Sequence, residues 1–206
     1  MGCGCALKTG CVILAGGKGR RLGREKAWVE LGGKSLLQRA VSNLEFLNSE
    51  IVIVKAPEGE LPTLSTGVNL KIVQDSVDGK GPLAGILSGL LNSKYRHNLI
   101  VACDMPLLNK DLVKYMISSI EDYDAVVPRM GKYLEPLQAV YSKDCISEIE
   151  KQLKQDRLKV DGLFSEVRTR FVESAEIERF DAAHLSFMNI NTLADLKKAE
   201  GLLGRS

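Results

Sequence analysis

Four glycines and five cations crowd one stretch of this 206-residue chain: Val12-Ile13-Leu14-Ala15-Gly16-Gly17-Lys18-Gly19-Arg20-Arg21-Leu22-Gly23-Arg24-Glu25-Lys26. Lacking a side chain, glycine lets the backbone come close to a ligand and adopt positive φ. Successive N–H groups in such a turn can converge on an anion, and Lys and Arg add charge and fork-shaped donors. The chemistry suited to this set is the holding of a nucleotide polyphosphate. Spacing excludes two commoner phosphate loops. The G-x-G-x-x-G fingerprint starting at Gly17 and Gly19 would need a glycine where Leu22 stands, and a P-loop ending in Gly33-Lys34-Ser35 would need one at Trp28. A solvated basic loop after an edge strand is the plain alternative.

Two carboxylates could share that work. Asp104 follows Leu99-Ile100-Val101-Ala102-Cys103, the most apolar run of the chain, and precedes Met105-Pro106. Proline keeps Met105 out of the helical region, which leaves Asp104 presented at a strand end. A bare carboxylate there costs solvation, whereas Mg²⁺ with phosphate oxygens compensates it. The alternative is that Asp104 caps the helix beginning near 110. Asp75 precedes Gly81-Pro82-Leu83-Ala84-Gly85, where an early helical proline is tolerated. Gly85 and Gly89, one turn apart, would let that helix approach either a neighbouring strand or a base. In Phe187-Met188-Asn189-Ile190-Asn191-Thr192-Leu193-Ala194-Asp195, an extended chain puts Asn189 and Asn191 on one face. Thr192 and Asp195 have the spacing of a capping box. The paired carboxamides suit a second substrate or a metal. His97 and His184 stand in no such motif, so core or surface roles are expected of both.

These residues need a scaffold that gathers distant loops. Apolar patterning predicts strands at Cys11–Leu14, Ile51–Val54, Val68–Val73, Leu99–Cys103, Ala125–Val127 and Leu137–Tyr141. It predicts helices over 35–48 behind Ser35 as N-cap, Leu83–Leu91, Asp111–Ile120, Ser142–Leu153 and from Asn191 onward. Strands alternating with helices argue for βαβ units and a largely parallel sheet, and continuous apolar strands argue that both its faces are covered. In such a sheet ligands sit at the carboxyl ends of strands, where the glycine-rich loop, Asp75 and Asp104 all fall. The stretch 155–185 is charge-rich and weakly periodic and receives no element.

Composition fits a single soluble globular domain, with 45% hydrophobic and 26% charged residues. A net charge of +2, concentrated in one loop, and 5% aromatic residues argue against a nucleic-acid partner. Of five cysteines, Cys11 and Cys103 fall in strands as small apolar fillers, and Cys3-Gly4-Cys5 makes an incomplete zinc site in a loosely held terminus. Neither a secretory leader, nor a myristoylation site (Ala6 is where Ser or Thr belongs), nor a membrane-spanning run is found, so a cytoplasmic chain without membrane contact is expected.

Leu14-Ala15-Gly16-Gly17 with Arg21, Gly23 and Lys26 resembles the L-x-G-G-x-x-x-R-x-G-x-x-K signature of the molybdenum cofactor guanylyltransferases, with Leu22 where methionine is usual. Cys103-Asp104-Met105-Pro106 is similar to that family's C-D-x-P, Pro82–Gly85 to its P-L-A-G run, and Phe187–Asp195 to its F-x-N-x-N-T-x-x-D block. Glu135-Pro136-Leu137-Gln138-Ala139-Val140-Tyr141 is also family-like, and the likeness runs from about Cys11 to Leu202. It implies an α/β fold, a Rossmann-like open, mostly parallel sheet with helices on both faces, of nucleotide-diphospho-sugar transferase type. It implies one domain over 1–206, with 1–10 loosely held, about 11–130 binding nucleotide and about 131–203 meeting the second substrate. The implied reaction moves GMP from GTP to the terminal phosphate of molybdopterin or Mo-molybdopterin and releases pyrophosphate. GTP would meet Leu14, Ala15, Gly16, Gly17, Lys26, Asp75 and Asp104. Asp104 would hold Mg²⁺, Arg21 and Lys26 would steady the charge, and Asn189 and Asn191 would face the second substrate. Molybdoenzymes or their chaperones are the implied delivery partners. Pro57 departs from the pattern, standing where the family carries a nucleotide-binding asparagine. A relative using CTP or another phosphorylated acceptor, and a GTP-binding carrier without turnover, are the competing readings.

Overall fold

The computed structural model describes residues 8–16, 25–75 and 80–204. In chain order the elements are β1 (Thr9–Leu14), β2 (Glu30–Leu31), β3 (Lys34–Ser35), α1 (Leu36–Leu44), β4 (Ile51–Lys55), β5 (Leu70–Gln74), α2 (Gly81–Asn92) and β6 (His97–Ala102). They continue as α3 (Lys110–Ser118), β7 (Ala125–Met130), β8 (Tyr133–Leu134), β9 (Gln138–Ser142), α4 (Ile146–Lys154), β10 (Thr169–Glu173), α5 (Ser174–Ile177) and α6 (Leu193–Leu203).

One eight-stranded sheet runs β10-β7-β9-β6-β1-β4-β5, with β8 paired to β7. Pairs β6–β1, β1–β4, β4–β5 and β10–β7 are parallel, while β9 lies antiparallel between β6 and β7. The sheet is therefore mostly parallel, as expected, and mixed on one side. The cause is the short link after β7: Gly131 sits at φ +61°, β8 folds back on β7, and Glu135 N donates to Pro128 O at 3.0 Å. So short a return can only reverse direction, since a parallel strand needs a crossover of a dozen residues or more.

The central strands are buried on both faces, as their unbroken apolar runs require. Cys11, Ile13, Ile53, Val101 and Val140 face α1 and α3, while Val12, Val52, Val54, Ile100 and Tyr141 face α2 and α4. Ser35 is the N-cap of α1, accepting from Gln38 N at 3.1 Å, but α1 stops at Leu44 and the turn Glu45–Leu47 is 3-10. The strand expected from Val68 begins at Leu70, because Val68 N is bonded to Thr66 Oγ1 instead of the sheet. Sequence patterning gave no hint of the β2–β3 hairpin, whose two-residue strands are too short to show a period. Cys11, Cys103 and Cys145 are buried fillers, and burial pushes each thiol up to about 12. Among the described residues no helix is long and apolar enough to cross a membrane.

The unplaced stretch 155–185 contains a 3-10 turn at Val160–Ser165, then β10 and α5. Buried Val160, Leu163, Phe164, Val172 and Ile177 anchor it in the core, and polar contacts add to them. Arg170 Nη2 donates to Glu176 Oε1 at 2.7 Å and to Tyr115 Oη at 2.9 Å, and Tyr115 Oη donates to the same carboxylate. Burial opposes ionisation of Glu176, but the Tyr115 hydroxyl, the Glu173 amide and Arg170 outweigh it and hold the carboxyl down to about 2. A depressed carboxyl stabilises the fold above its unfolded value of 4.5, and that contribution disappears as pH falls toward 2. Glu176→Gln is expected to cost about 2 kcal/mol, lowering the melting temperature at pH 7 by about 5 °C. Melting curves across pH should show the gap to wild type closing below pH 4.5.

Candidate active site

The chain leaves β1 toward β4 and β5 on one side, and returns through α2 to β6 on the other. Such a reversal opens a crevice beyond the strand ends. Cys103 N donates to Leu14 O at 3.1 Å, so the loops after β1 and β6 are tied together at its base. Above them lies a cavity of about 480 Å³, the size of a small-ligand site. Leu14, Gly16, Lys26, Asp75, Asp104 and Asn189 all line it, although they span most of the chain.

Asp104 is 7% exposed, and its carbonyl accepts from Ile190 N at 2.9 Å. It does not cap α3: Asn109 does, its Oδ1 accepting from Asp111 N and Leu112 N, both at 3.0 Å. The carboxylate is left for the cavity, where Oδ2 takes a short bond from Lys26 Nζ. The same ammonium donates to Asn191 Oδ1. Across the cavity, Asp75 Oδ1 accepts from Ser88 Oγ at 3.1 Å, and Asp75 N donates to Lys55 O at 2.8 Å.

The glycines divide by role. A Cβ on Gly16 would stand 3.5 Å from Ala56 N, an ordinary contact, so no neighbour among the described residues forces glycine there, and its backbone lines the cavity. A Cβ on Gly89 would stand 2.3 Å from Val12 Cγ1, so that glycine serves helix–strand packing. Gly85 lines the cavity, its Cβ position lying 3.3 Å from Leu14 Cδ2 and 3.8 Å from Asp75 Oδ2.

Not every residue singled out in the sequence meets the cavity. Ala15 turns into the core, and its N–H is bonded to Val54 O at 2.8 Å. Gly17 and Arg21, like Cys3 and Cys5, lie outside the described residues. Asn189 reaches the lining, while Asn191 reaches Lys26. Pro57 is set back in the turn after β4, where its carbonyl accepts from Lys55 Nζ at 3.4 Å. Lys55 and Ala56 line the cavity instead. Sequence reasoning missed Lys55, a charge ending an apolar strand at the ligand-bearing edge. Its ammonium also donates to Gly59 O at 2.7 Å. Leu137 lines the cavity as well, and beside it burial, reinforced by the charge of Asp161, raises the Glu135 carboxyl above its ordinary range. His97 is buried in β6 and His184 packs near Glu178, and neither lines the cavity.

Among the described residues no group of three or more His, Cys, Asp or Glu could cage a metal. One or two carboxylates at a phosphate site are what Mg²⁺ uses, because it keeps waters and shares phosphate oxygens. Asp104 fits that requirement, a carboxyl side chain at the cavity wall and free of any capping duty. With a glycine backbone and an ammonium beside it, the set can hold a polyphosphate.

The sequence matches the MobA-like NTP transferase domain over residues 11–168. It is 38% identical over 188 residues to a protein of Pelotomaculum thermopropionicum named as a probable molybdenum cofactor guanylyltransferase, covering 91% of this chain and 90% of that one. It is 35% identical over 194 residues to the molybdenum cofactor guanylyltransferase of Desulfosudis oleivorans, covering 93% and 94%. The crystal structure of molybdopterin-guanine dinucleotide biosynthesis protein A from Archaeoglobus fulgidus superposes with a TM-score of 0.80 at 27% identity, covering 96% of this chain and 100% of the other. At 17% identity, 2-C-methyl-D-erythritol 4-phosphate cytidylyltransferase of Thermus thermophilus shares the fold, with a TM-score of 0.69.

Proposed function

This chain belongs to the MobA-like NTP transferase family, and from that premise we propose that it moves GMP from GTP to the terminal phosphate of molybdopterin, with or without bound molybdenum, and releases pyrophosphate. Relatives bearing the guanylyltransferase name over nine-tenths of the chain support the choice of guanine and of acceptor. The observation that carries the mechanism is the meeting of Gly16, Lys26 and Asp104 around one cavity.

A phosphate oxygen of the acceptor attacks the α-phosphorus of GTP, the bond from that phosphorus to the β-bridging oxygen breaks, and pyrophosphate leaves with the electron pair. The attacking oxygen is already anionic at neutral pH, so no strong general base is needed, consistent with neither histidine lining the cavity. What remains is positioning and charge neutralisation. Gly16 lets the polyphosphate lie against the backbone. Lys26 sets its ammonium against the transferring and leaving groups, and the motif resemblance gives Arg21 the part of a second cation. Asp104 would hold Mg²⁺, which supplies positive charge to phosphate oxygens when bound. Asp75 and Gly85 border the nucleotide side, Asn189 and Leu137 the acceptor side.

Pyrophosphate release measured in parallel with GTP, CTP and ATP, with and without molybdopterin and Mg²⁺, tests this reading. GTP should exceed the other two by at least about 100-fold, because a site that hydrogen-bonds one base leaves polar groups unpaired with another. Faster release from CTP would overturn the guanine assignment. Nucleotide binding with no turnover would mark a carrier.

A further inference from the structure

We propose that Asn191 is a positioning residue for Lys26, so that the segment leading into α6 sets the cation at the reacting phosphates. The inference rests on the nucleotidyl-transfer reading and changes the part given to Asn191, from touching the second substrate to holding the ammonium.

Three observations carry it. First, Lys26 Nζ donates to both Asp104 Oδ2 and Asn191 Oδ1, the latter from a residue 165 positions away in the chain. An ammonium has three donors, and with two committed the third is left for the cavity that Lys26 lines. A lysine is a point charge on a flexible stem, and fixing that stem before the ligand arrives removes entropy that binding would otherwise have to overcome.

Second, Asn191 is itself fixed, and its carboxamide is not what caps α6. The cap is made by Thr192 Oγ1, which accepts from Asp195 N at 3.2 Å, and by Asp195 Oδ2, which accepts from Thr192 N at 2.8 Å. Asn191 contributes only its backbone N–H, bonded to the same Asp195 oxygen at 3.0 Å. Its side chain is therefore held by its backbone and directed to Lys26.

Third, a small separate core brings the two partners together. Val29 and Leu31, just after Lys26, pack with Leu36, Ile190 and Ala199, all of them buried. The residues flanking Lys26 and those flanking Asn191 thus share one apolar cluster. Ile190 N bonded to Asp104 O at 2.9 Å ties the same segment to the third member.

A double-mutant cycle read by GTP calorimetry tests the proposal, using the whole chain as wild type, Asn191→Leu, Lys26→Met and both together. If Asn191 acts through Lys26, Asn191→Leu weakens GTP binding about tenfold alone and less than about twofold once Lys26 is methionine. In turnover, kcat falls while KM for molybdopterin stays within about twofold. Asn191 is exposed, so folding should be unaffected, and Asn191→Ala should repeat the result without the added bulk. Additive losses in the cycle, unchanged GTP affinity in Asn191→Leu, or a raised KM for molybdopterin with normal GTP affinity would each overturn the proposal. Failure of the wild type to bind GTP would instead overturn the functional reading, and this inference with it.

Discussion

Asp104→Asn is expected to cut turnover by about 10³-fold, close to 4 kcal/mol of lost transition-state stabilisation, while leaving the chain folded. The loss should fall on chemistry because the carboxylate has no structural duty that asparagine cannot meet. Asn109 caps α3, and the backbone carbonyl of Asp104, not its side chain, ties down Ile190. An asparagine still offers Lys26 an oxygen acceptor. Removing one member of a buried ion pair can cost 3–5 kcal/mol, but the Lys26 side chain here is 18% exposed beside an open cavity, where water can take over. The stability change should therefore stay within about 2 kcal/mol. Two measurements separate this account from a merely structural one. Thermal melting should move little. GTP binding in the presence of a chelator should be unchanged or tighter, because one negative charge has been withdrawn from a site that takes a polyphosphate. Turnover within about tenfold of wild type in saturating Mg²⁺ would mean that the cavity does not use Asp104 as proposed.

That carboxylate was legible in the sequence because its signals are local. An unbroken apolar strand, then Asp, then x-Pro, marks a strand end that cannot turn at once into a helix. Ser35 and the Thr192–Asp195 capping box are legible for the same reason, since each cap is satisfied within four residues. Features built from distant or weakly patterned residues were not. The antiparallel β9 depends on how a short return folds, which apolar patterning does not record. In the stretch 155–185 the buried Val160, Leu163, Phe164, Val172 and Ile177 sit in a 3-10 turn and short elements among ion-paired charges, too short a run in each to show a period. The pairing of Lys26 with Asn191 needs the cluster of Val29, Leu31 and Ile190, whose members come from a hairpin of two-residue strands and from an irregular segment. Lys55 was passed over because a charged residue ending a strand looks like an ordinary solvated terminus until the cavity is seen beside it.

Gly85 and Gly89 of α2 give the other large effect, and they should fail in opposite ways. At Gly89 the three atoms nearest an added methyl all belong to Val12, with Cγ1 at 2.3 Å, Cγ2 at 3.1 Å and Cβ at 3.3 Å. Val12 is fully buried in the middle of the sheet, and a β-branched side chain is stiff at χ1, so it yields little. Either α2 or β1 must shift. That overpacking should cost about 3–4 kcal/mol, of which better helix propensity returns about 1. Gly89→Ala should thus melt about 8 °C below wild type, yet bind GTP normally at low temperature. At Gly85 the nearest atom is the flexible end of Leu14, 3.3 Å away, and Leu14 is only half-buried. Gly85→Ala should melt within a few degrees of wild type but put its methyl into the cavity beside Asp75, weakening GTP about tenfold. Melting curves and calorimetry on the pair give a crossed pattern if α2 both braces the sheet at Gly89 and borders the nucleotide at Gly85. Normal GTP affinity in a stable Gly85→Ala would move the nucleotide away from this helix and detach Asp75 from the site with it.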